Sequence, residues 1–375
     1  MKSPRRVLHV LEATLGGTGR HVLDLLRGLA LKPEYPIELH LAFATRRSDQ
    51  RFINGLPGLA EAGVHCFRCD MRRGIHPPSD MACLAQISRY AHRHGIQLVH
   101  GHSAKGGYLA RLASGLLPRV RSVYTPHSSP FRMGVMYHGL EIAAGALLTD
   151  RVIAVSASER AELIQSHAAA PWRIRVIPNG LPEGSVDAQP VSKNGIVVGT
   201  LGRLTAQKSP LRFLDIAQRV VRQDPRIKFL WVGDGELRSQ WQSWVREHNL
   251  EDNVQLGGWR EDVETALAGM DIFLIVSDYE GAPYALLEAM RARLPCIVTD
   301  VPGSRDIVTH DLTGFIVPKE DRSQQVSRIL ALADDAALRH RFGEAGWNRW
   351  KHTYSLEHMV EATYEVYAEL VPFNH

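Results

Sequence analysis

The sequence predicts two doubly wound, Rossmann-like α/β domains in tandem. Apolar, β-branched segments alternate with longer amphipathic segments along most of the 375 residues, as strands alternate with crossover helices in a parallel sheet. A polar stretch rich in turn-forming residues, 181–195, interrupts this alternation and is the predicted interdomain linker. The chain length of 375 residues agrees with two domains, since domains usually have roughly 100 to 200 residues. Strand carboxyl ends, where ligands usually bind, would then face a central cleft from both sides.

Each predicted domain contains six strands, recognised as short apolar runs bounded by turn formers. In residues 1–180 the predicted strands are 7–11, 38–44, 97–100, 120–124, 152–155 and 174–177. In residues 196–354 they are 196–201, 229–232, 254–256, 272–276, 296–299 and 315–317.

Helices are predicted between these strands. Ser156 and Glu159 have the spacing of a capping box, in which the serine hydroxyl accepts a hydrogen bond from the N–H three residues later, so a helix should begin at Ser156. After Pro318 the pattern is helical, and apolar residues at helical spacing predict a last helix over 355–370.

The charge is divided unevenly along the chain. The formal net charge is +4, but residues 1–180 carry +11 and the remainder carries −7. A basic half of this kind is typical of proteins that meet nucleic acid, an anionic membrane surface or a phosphorylated ligand, although it can also be an ordinary solvated surface. Few cysteines and no signal-peptide pattern predict a reducing cytoplasmic location, and no apolar run approaches the ~20 residues of a membrane-spanning helix.

A metal site is not predicted. Cys66 and Cys69 form a single Cys-x-x-Cys pair with His65 and His76 nearby, which is at most half of a zinc pattern. A closed zinc site needs about four ligands, and no second pair is present in the sequence.

The strongest candidate ligand site follows the predicted strand 272–276. Pro283 suits the first position of a helix, so the N–H groups of Tyr284 and Ala285 would be available to an anion such as a phosphate. Glu280 in the loop and Glu288 two turns into the helix could each accept hydrogen bonds from the hydroxyls of a ribose or a sugar. The alternative is that Glu280 only neutralises the helix dipole and Glu288 is an ordinary surface residue.

A second candidate loop follows the predicted strand 196–201. Arg203 and Lys208 lie beside Gly202, where two cations could neutralise a diphosphate without a metal ion. The alternative is a pair of solvated bases.

Two weaker signals occur in the first half. Gly16 and Gly17 follow the first strand and allow close backbone approach to a ligand. The loop does not match the dinucleotide fingerprint, because Val22 stands where glycine or alanine is required and the second strand does not end in an acidic residue. His127 follows the strand 120–124 and could hydrogen-bond a polar ligand or be structural, and His100 and His102 are weaker candidates.

Together these residues resemble the retaining glycosyltransferases of family 4, which have the GT-B fold. Glu280 and Glu288 form the Glu-x7-Glu motif of that family. The resemblance extends over essentially the whole chain and includes the further motifs Gly16-Gly17, Thr125-x-His127, 176–180 and Gly202-Arg203 with Lys208.

The resemblance implies roles for individual residues. Arg203 and Lys208 would bind the donor diphosphate, and Glu288 would hold the ribose hydroxyls. The remaining expectations are that Glu280, Gly281, Ala282, Pro283 and His127 contact the donor sugar, that Gly16 and Gly17 face the phosphate and acceptor, and that Gly233, Trp259 and Arg260 flank the base.

The resemblance also implies a function. It indicates transfer from a nucleoside-diphosphate sugar, with UDP favoured, to a saccharide or lipid-diphosphate-linked acceptor in cell-surface polysaccharide synthesis. No metal cofactor is expected, residues 355–375 should return to the first domain, and the basic first half should meet the inner face of an anionic membrane rather than nucleic acid. Arg291 and Arg293 depart from the family pattern, which usually has a glycine near the end of this helix.

Two alternatives remain open at this stage. A sugar-nucleotide epimerase or a phosphorylase of the same fold would share the diphosphate site. A nucleic-acid-binding protein would explain the basic half, but not Glu280, Glu288, Arg203 and Lys208 in the acidic half.

Overall fold

The computed structural model of the chain describes residues 4–127, 135–184, 195–260 and 262–372. The chain divides into two compact units, a first unit of Met1–Pro182 and Ser355–His375 and a second unit of Glu183–Tyr354. Most of the predicted linker, residues 185–194, lies outside the described residues. Within the described part of the chain, no helix has the length and apolarity needed to cross a bilayer.

The first unit is built on a seven-stranded parallel sheet in the order β3-β2-β1-β4-β5-β6-β7. Its strands are β1 (Arg5–Leu11), β2 (Ile37–Phe43), β3 (His65–Arg68), β4 (Leu98–His102), β5 (Arg121–Thr125), β6 (Arg151–Ala154) and β7 (Ile174–Val176). Its helices are α1 (Gly17–Ala30), α2 (Gln50–Glu61), α3 (Pro77–Arg93), α4 (Ser103–Leu116), α5 (Val135–Leu147) and α6 (Ala157–Gln165), together with α14 (Leu356–Leu370) from the end of the chain.

The second unit is built on a six-stranded parallel sheet in the order β10-β9-β8-β11-β12-β13. Its strands are β8 (Val197–Leu201), β9 (Lys228–Val232), β10 (Val254–Gly258), β11 (Ile272–Ile275), β12 (Cys296–Thr299) and β13 (Gly314–Val317). Its helices are α7 (Pro210–Val221), α8 (Arg238–Glu247), α9 (Val263–Ala268), α10 (Tyr284–Arg291), α11 (Ser304–Ile307), α12 (Arg322–Asp334) and α13 (Ala336–Thr353).

Both sheets reverse strand order at one point, between β1 and β4 in the first unit and between β8 and β11 in the second. The prediction of two doubly wound α/β domains is therefore confirmed. In such sheets a crevice opens at the carboxyl ends of the strands where the order reverses, because the connections on either side leave in opposite directions. The loops that follow β8 and β11 are those that carry the predicted Arg203, Lys208 and Glu280.

One strand was not predicted. β3, at His65–Arg68, is a four-residue edge strand with polar residues at both ends and none of its residues is fully buried. It contains Cys66, while Cys69 beyond its end is buried and hydrogen-bonds with Cys83. Burial raises the pKa of the Cys66 thiol to about 11. The Cys-x-x-Cys pair therefore has one cysteine in the edge strand β3 and the other directly after it.

The predicted helix start at Ser156 and the predicted last helix are both found in the structure. The Ser156 hydroxyl accepts from the Glu159 N–H at 3.1 Å, and the Glu159 carboxylate accepts from the Val155 N–H at 2.7 Å, so the capping box is confirmed. The last helix, α14, packs against α1, where a Cβ on Gly28 would lie 2.4 Å from a methyl of Val360. The close approach of these two helices requires glycine at that position.

Arg293 stands near the end of α10, where the family usually has a glycine, and the C-terminus of this helix is nevertheless formed. Arg293 takes a left-handed φ of 57°, the conformation that glycine usually supplies there. Its guanidinium lies 4.3 Å from the ring centroid of Trp347 and forms an ion pair with Glu344 at 2.7 Å. These two contacts offset the backbone strain.

Candidate functional site

The crevice of the second unit brings together the loops after β8 and β11. The Gln207 side chain donates to the Tyr279 carbonyl at 3.0 Å, and the Gln207 carbonyl accepts from the Asp278 N–H at 2.9 Å. The Ser209 hydroxyl donates to Asp278 at 2.9 Å. Residues far apart in sequence are therefore tied into one site.

Lys208 and Glu280 form an ion pair at the centre of this site. The Lys208 Nζ lies 2.5 Å from Oε1 of Glu280, and the two side chains are 19% and 5% exposed. The pair is shielded from solvent, so its electrostatic interaction is stronger than that of a surface pair. Arg203, five residues earlier, is exposed on the same loop.

Arg212 of α7 holds the loop after β11 through two hydrogen bonds. Its guanidinium donates to the Val276 carbonyl at 2.6 Å and to Asp278 at 2.7 Å. Burial opposes ionisation of Asp278, but the hydrogen bonds from Arg212 and Ser209 outweigh it and lower the pKa of this carboxyl. Sequence reasoning did not identify Arg212 or Asp278, whose role is to hold the two loops in register.

Helix α10 begins one residue later than predicted. Pro283 is the residue before its first turn, and its own side chain forms no capping hydrogen bond. The first turn, with Tyr284 and Ala285, follows directly after Glu280, Gly281 and Ala282, and Glu288 is buried on the same helix, at 4% exposure.

The predicted base-side residues surround the end of β9. Gly233 has a φ of 138°, and a Cβ there would lie 2.0 Å from the Gly202 carbonyl oxygen, so only glycine fits. The Trp231 indole donates to that same carbonyl at 2.8 Å, and the Gly233 N–H donates to Gly258 at 2.7 Å. Trp259 follows, with its indole 59% exposed.

Arg260, the other predicted base-side residue, is exposed and forms an ion pair with Asp262 at 2.7 Å. The second unit therefore holds the predicted Gly202, Arg203, Lys208, Gly233, Trp259, Arg260 and 280–288 along one edge of one sheet.

The predicted residues of the first unit meet at its own point of strand reversal. Gly17 begins α1, and the Gly16 N–H donates to Asp49 at 2.7 Å. His127 follows β5 and takes a left-handed φ of 65°. Its ring lies 4.5 Å, centroid to centroid, from that of His21 on α1.

His127 belongs to a group of five histidines, of which sequence reasoning named His100, His102 and His127 and missed His9 and His21. His100 and His102 lie on one face of β4, and His9 pairs in register with His100 from β1. The signal in the sequence was the His-x-His spacing, which puts both side chains on one face of a strand. His9, His21, His100 and His102 are all buried.

Burial lowers the pKa of every histidine in this group. The pKa falls to about 3 for His9, and to about 4 for His21 even though the hydrogen bond that His21 donates to the Asn179 amide oxygen opposes the shift. Burial, and after it the neighbouring histidines, hold the pKa of His100, His102 and His127 well below the usual range. All five imidazoles are neutral at pH 7.

The same histidines include the described groups that could ligate a metal ion. His9, His100 and His102 bring ring nitrogens within 4.8 Å of one another, and so do His21, His102 and His127. Neutral imidazole is the form that binds a metal. These groups belong to the first unit, whereas the Lys208–Glu280 pair belongs to the second.

Family models match both halves of the chain. The model described as Glycosyltransferase Family 4 matches residues 15–183, and the one described as Glycosyl transferases group 1 matches residues 185–349.

Named relatives and solved structures agree with these matches. The UDP-Gal:α-D-GlcNAc-diphosphoundecaprenol α-1,3-galactosyltransferase of Escherichia coli is 30% identical over 286 residues, which are 71% of this chain and 74% of that protein. The capsular polysaccharide biosynthesis glycosyltransferase CapM of Staphylococcus aureus is 25% identical over 79% of this chain and 83% of its own. The crystal structure of Anabaena HepE with UDP and glucose has a TM-score of 0.80 at 17% identity, over 98% of this chain and 100% of that one.

These findings decide between the alternatives that share the fold. The relatives are transferases, which does not favour an epimerase or a phosphorylase. The match to the Escherichia coli enzyme covers more than two thirds of both chains, and the solved structure has the GT-B fold. The predicted resemblance is confirmed: the chain belongs to glycosyltransferase family 4 and is a glycosyltransferase.

Proposed function

We propose that this enzyme transfers a sugar from a UDP-sugar to a saccharide carried on a lipid diphosphate, with retention of configuration, in the synthesis of a cell-surface polysaccharide. The observation that carries the donor half of the proposal is the shielded Lys208–Glu280 pair, with Arg203 on the same loop and Glu288 buried on the next helix. The acceptor class is extended from the Escherichia coli relative, which acts on a diphosphoundecaprenol-linked sugar.

The site suits the charges that develop during transfer. Breaking a sugar–phosphate bond builds negative charge on the leaving diphosphate and positive charge on the anomeric carbon. Lys208 is held 2.5 Å from Oε1 of Glu280 by the protein itself, so the cation is positioned in advance and little reorganisation is needed during the reaction. Arg203 adds a second cation, so two positive charges, one of them shared with Glu280, are available to a diphosphate.

The remaining contacts to the donor would be made by residues at the same edge of the sheet. The buried Glu288 carboxylate is suited to accept hydrogen bonds from the two ribose hydroxyls. The exposed indole of Trp259 offers a flat apolar surface to a base beside Gly233. Glu280, next to Lys208, is placed to meet the sugar that the diphosphate carries.

Retention is proposed to occur by attack from the face that the leaving group vacates. The acceptor oxygen forms a bond to the anomeric carbon while the bond from that carbon to the phosphate oxygen breaks, and the departing phosphate takes the acceptor's proton. NMR of the product should show the anomeric configuration of the donor. An inverted product would contradict this part of the proposal and leave the donor site unaffected.

Nucleotide binding tests the donor site directly. We expect UDP to raise the melting temperature of the wild-type protein, because a ligand that binds only the folded state stabilises it by mass action, and to do so more than GDP or ADP at equal concentration. Glu288→Gln should lose most of the UDP-induced shift, since one ribose hydroxyl loses its charged acceptor. Glu236→Gln, an exposed change in the same unit, is the control and should keep the shift. Equal UDP-induced shifts for the wild type, Glu288→Gln and Glu236→Gln would contradict the assignment of Glu288.

A basic face of the first unit is the part of the molecule that we propose attaches to a membrane surface. Arg72 and Arg73 are exposed in the loop after β3, at the carboxyl edge of the sheet, and Arg46 from the loop after β2 joins them through Asp70 at 2.8 Å. Exposed apolar side chains accompany them, Ile75 at 42% and Met81 at 68% exposure. Basic residues beside apolar ones are what an anionic membrane surface attracts.

Charge reversal on this face should weaken membrane binding. We expect Arg72→Glu/Arg73→Glu to reduce binding to vesicles containing phosphatidylglycerol by at least tenfold in a sedimentation assay, because each basic residue near the surface contributes about 1 kcal/mol. Arg93→Glu/Arg119→Glu makes the same charge change at the amino edge of the same sheet and should bind like the wild type. Equal losses in both double variants would show that no particular face is used.

A further inference from the structure

Side chains from three strands, a loop and the last helix of the first unit are joined by a continuous series of hydrogen bonds. We call this series the histidine chain; its members, in order, are Thr125, His100, Tyr367, His9, His102 and His127. Thr125 is its buried end, and His127 is the end that is partly exposed.

The buried half of the histidine chain runs through Tyr367 of α14. Oγ1 of Thr125 lies 2.8 Å from Nε2 of His100, and Nδ1 of His100 lies 2.6 Å from the Tyr367 hydroxyl. That hydroxyl lies 3.4 Å from Nε2 of His9, which is the longest contact of the series. Tyr367 is therefore the one connection between the two halves.

The outer half consists of histidines alone. Nδ1 of His9 lies 3.0 Å from Nε2 of His102, and Nδ1 of His102 lies 3.1 Å from Nε2 of His127. His9, His100 and His102 each use both ring nitrogens within the series. The second nitrogen of His127, Nδ1, has no hydrogen-bond partner among the described residues, and so it is the one free to meet a ligand.

Neutral members force all the hydrogen bonds to run in one direction. A neutral imidazole carries one N–H and one lone pair, so a ring that donates through one nitrogen must accept through the other. Burial keeps these imidazoles neutral and raises the pKa of Tyr367 well above its usual range, so its single proton stays on the oxygen. Tyr367 could accept from both neighbours only by leaving its own proton buried without an acceptor among the described residues, so reversing one bond requires reversing every other.

Thr125 selects the direction. Its side chain is fully buried, and its hydroxyl has no other hydrogen-bond partner among the residues that the structure describes. If Thr125 accepted from His100, its own proton would be buried without an acceptor, which costs about 1 to 3 kcal/mol. Thr125 therefore donates to His100, each member donates to the next, and His127 carries its proton on Nδ1.

We propose that the histidine chain fixes His127 in the Nδ1–H tautomer, so that Tyr367 and Thr125 act as positioning residues which make His127 a hydrogen-bond donor towards a sugar oxygen of a substrate at the carboxyl edge of this sheet. The last clause rests on the proposed function, whereas the tautomer itself does not. The left-handed backbone of His127, at a φ of 65°, is a strain that its bond to His102 helps to hold.

A metal ion is the competing explanation for clustered histidines. A metal would need a lone pair from at least three of them, pointing at one centre. All six ring nitrogens of His9, His100 and His102 instead have hydrogen-bond partners arranged in series. For the group His9, His100 and His102, the geometry favours the hydrogen-bonded chain over an ion, and elemental analysis tests the group His21, His102 and His127.

The tautomer can be measured without any substrate. In protein labelled with ¹⁵N-histidine at pH 7.5, two-bond ¹H–¹⁵N correlations should show His102 and His127 as Nδ1–H, assigned through His127→Asn. Tyr367→Phe removes only the connecting hydroxyl and should give His127 a mixture of tautomers. Thr125→Val should do the same, and Thr125→Ser, which restores the hydroxyl, should return the single Nδ1–H form.

The matched control lies on the same helix. Tyr364 also has a hydrogen-bonded hydroxyl, which accepts from Arg5 at 2.7 Å, but it is not part of the histidine chain. Tyr364→Phe should leave the His127 tautomer and kcat unchanged, whereas Tyr367→Phe should lower kcat by up to about tenfold, the equivalent of one hydrogen bond, with UDP binding unchanged.

Three outcomes would overturn the proposal. The first is a His127 signal that is Nε2–H in the wild type, and the second is a tautomer that does not change in either Tyr367→Phe or Thr125→Val. The third is a stoichiometric metal ion in the purified protein, measured by elemental analysis. If instead the tautomers behave as expected but no sugar nucleotide supports transfer, the proposed function fails and the histidine chain stands.

Discussion

Lowering the pH from 7.5 to 5 is expected to unfold the first unit while the second remains folded. His9, His21, His100 and His102 are buried and neutral, with pKa values lowered to about 3 for His9 and about 4 for His21. Below the ordinary histidine pKa of ~6.5 the unfolded chain binds protons that the folded unit does not, so stability falls as the pH falls. Each such histidine contributes a loss of about 1.4 kcal/mol per pH unit.

One buried carboxyl acts in the opposite direction. Burial raises the pKa of Glu159 to about 7, so the folded unit takes up this proton before the unfolded chain does, and stability gains from it as the pH falls from 7 to 4.5. The histidines whose pKa is lowered by burial, which include His40 and His127 as well as these four, outnumber this carboxyl, so the net loss by pH 5 is on the order of 5 to 10 kcal/mol. Such a loss is comparable to the whole stability of a typical domain.

The two units provide an internal control for this measurement. Of the histidines described in the second unit, none is buried. Urea unfolding at several pH values, followed by pulse-labelling hydrogen exchange with mass spectrometry, would assign each transition to one unit. The midpoint for peptides of the first unit should fall steeply between pH 6.5 and 5 and that of the second should change little. Parallel behaviour of the two units would contradict the assignment to the buried histidines.

Replacing Lys208 by methionine is expected to lower kcat by about 10² to 10³, the range found when one preorganised charge-stabilising group is removed. Lys208 is the cation held nearest the proposed position of the departing diphosphate, and its loss would also leave Glu280, at 5% exposure, without its partner. Removing one member of a buried pair destabilises a protein by about 3 to 5 kcal/mol. The single variant therefore combines a chemical effect and a structural one.

A double variant separates the two effects. Lys208→Met/Glu280→Gln removes both charges, so the unfolding free energy should recover towards the wild-type value while kcat stays low. Lys228→Met is the matched control, since this lysine donates only to a backbone carbonyl at 3.0 Å in the same unit. Steady-state kinetics with a UDP-sugar and urea unfolding measure the two quantities. Recovery of kcat together with stability would mean that Lys208 has a structural role only.

Most of the fold was predictable because strand formation here depends on local composition. Twelve of the thirteen strands coincide with predicted apolar runs, and the inner ones are buried on both faces by the helices of a parallel sheet, whereas the edge strands β7 and β10 are partly exposed. β3 was missed because an edge strand needs no such run: it is four residues long and polar at both ends. The Ser156 cap was predictable because its hydrogen bond joins residues three apart.

The candidate site was predictable in composition and less so in arrangement. Lys208 and Glu280 were recognised as separate loop residues, but nothing in the sequence indicated that they would pair, since 72 residues separate them. Arg212 and Asp278, which tie their loops together, were missed because an arginine on a helix and an aspartate in a loop are common in any protein. Their pairing depends on β8 and β11 being neighbours in the sheet.

The sequence by itself determined the fold class, the strands and the residue types of the donor site, because hydrophobic period, turn chemistry and motif spacing are local properties of a chain. Only the tertiary structure decided that Tyr367, near the end of the chain, would connect His100 to His9 and so reach His127. That connection requires α14 to pack on the sheet of the first unit. Contacts of this kind follow from strand order and helix docking, which the burial of whole apolar faces selects and which no local pattern records.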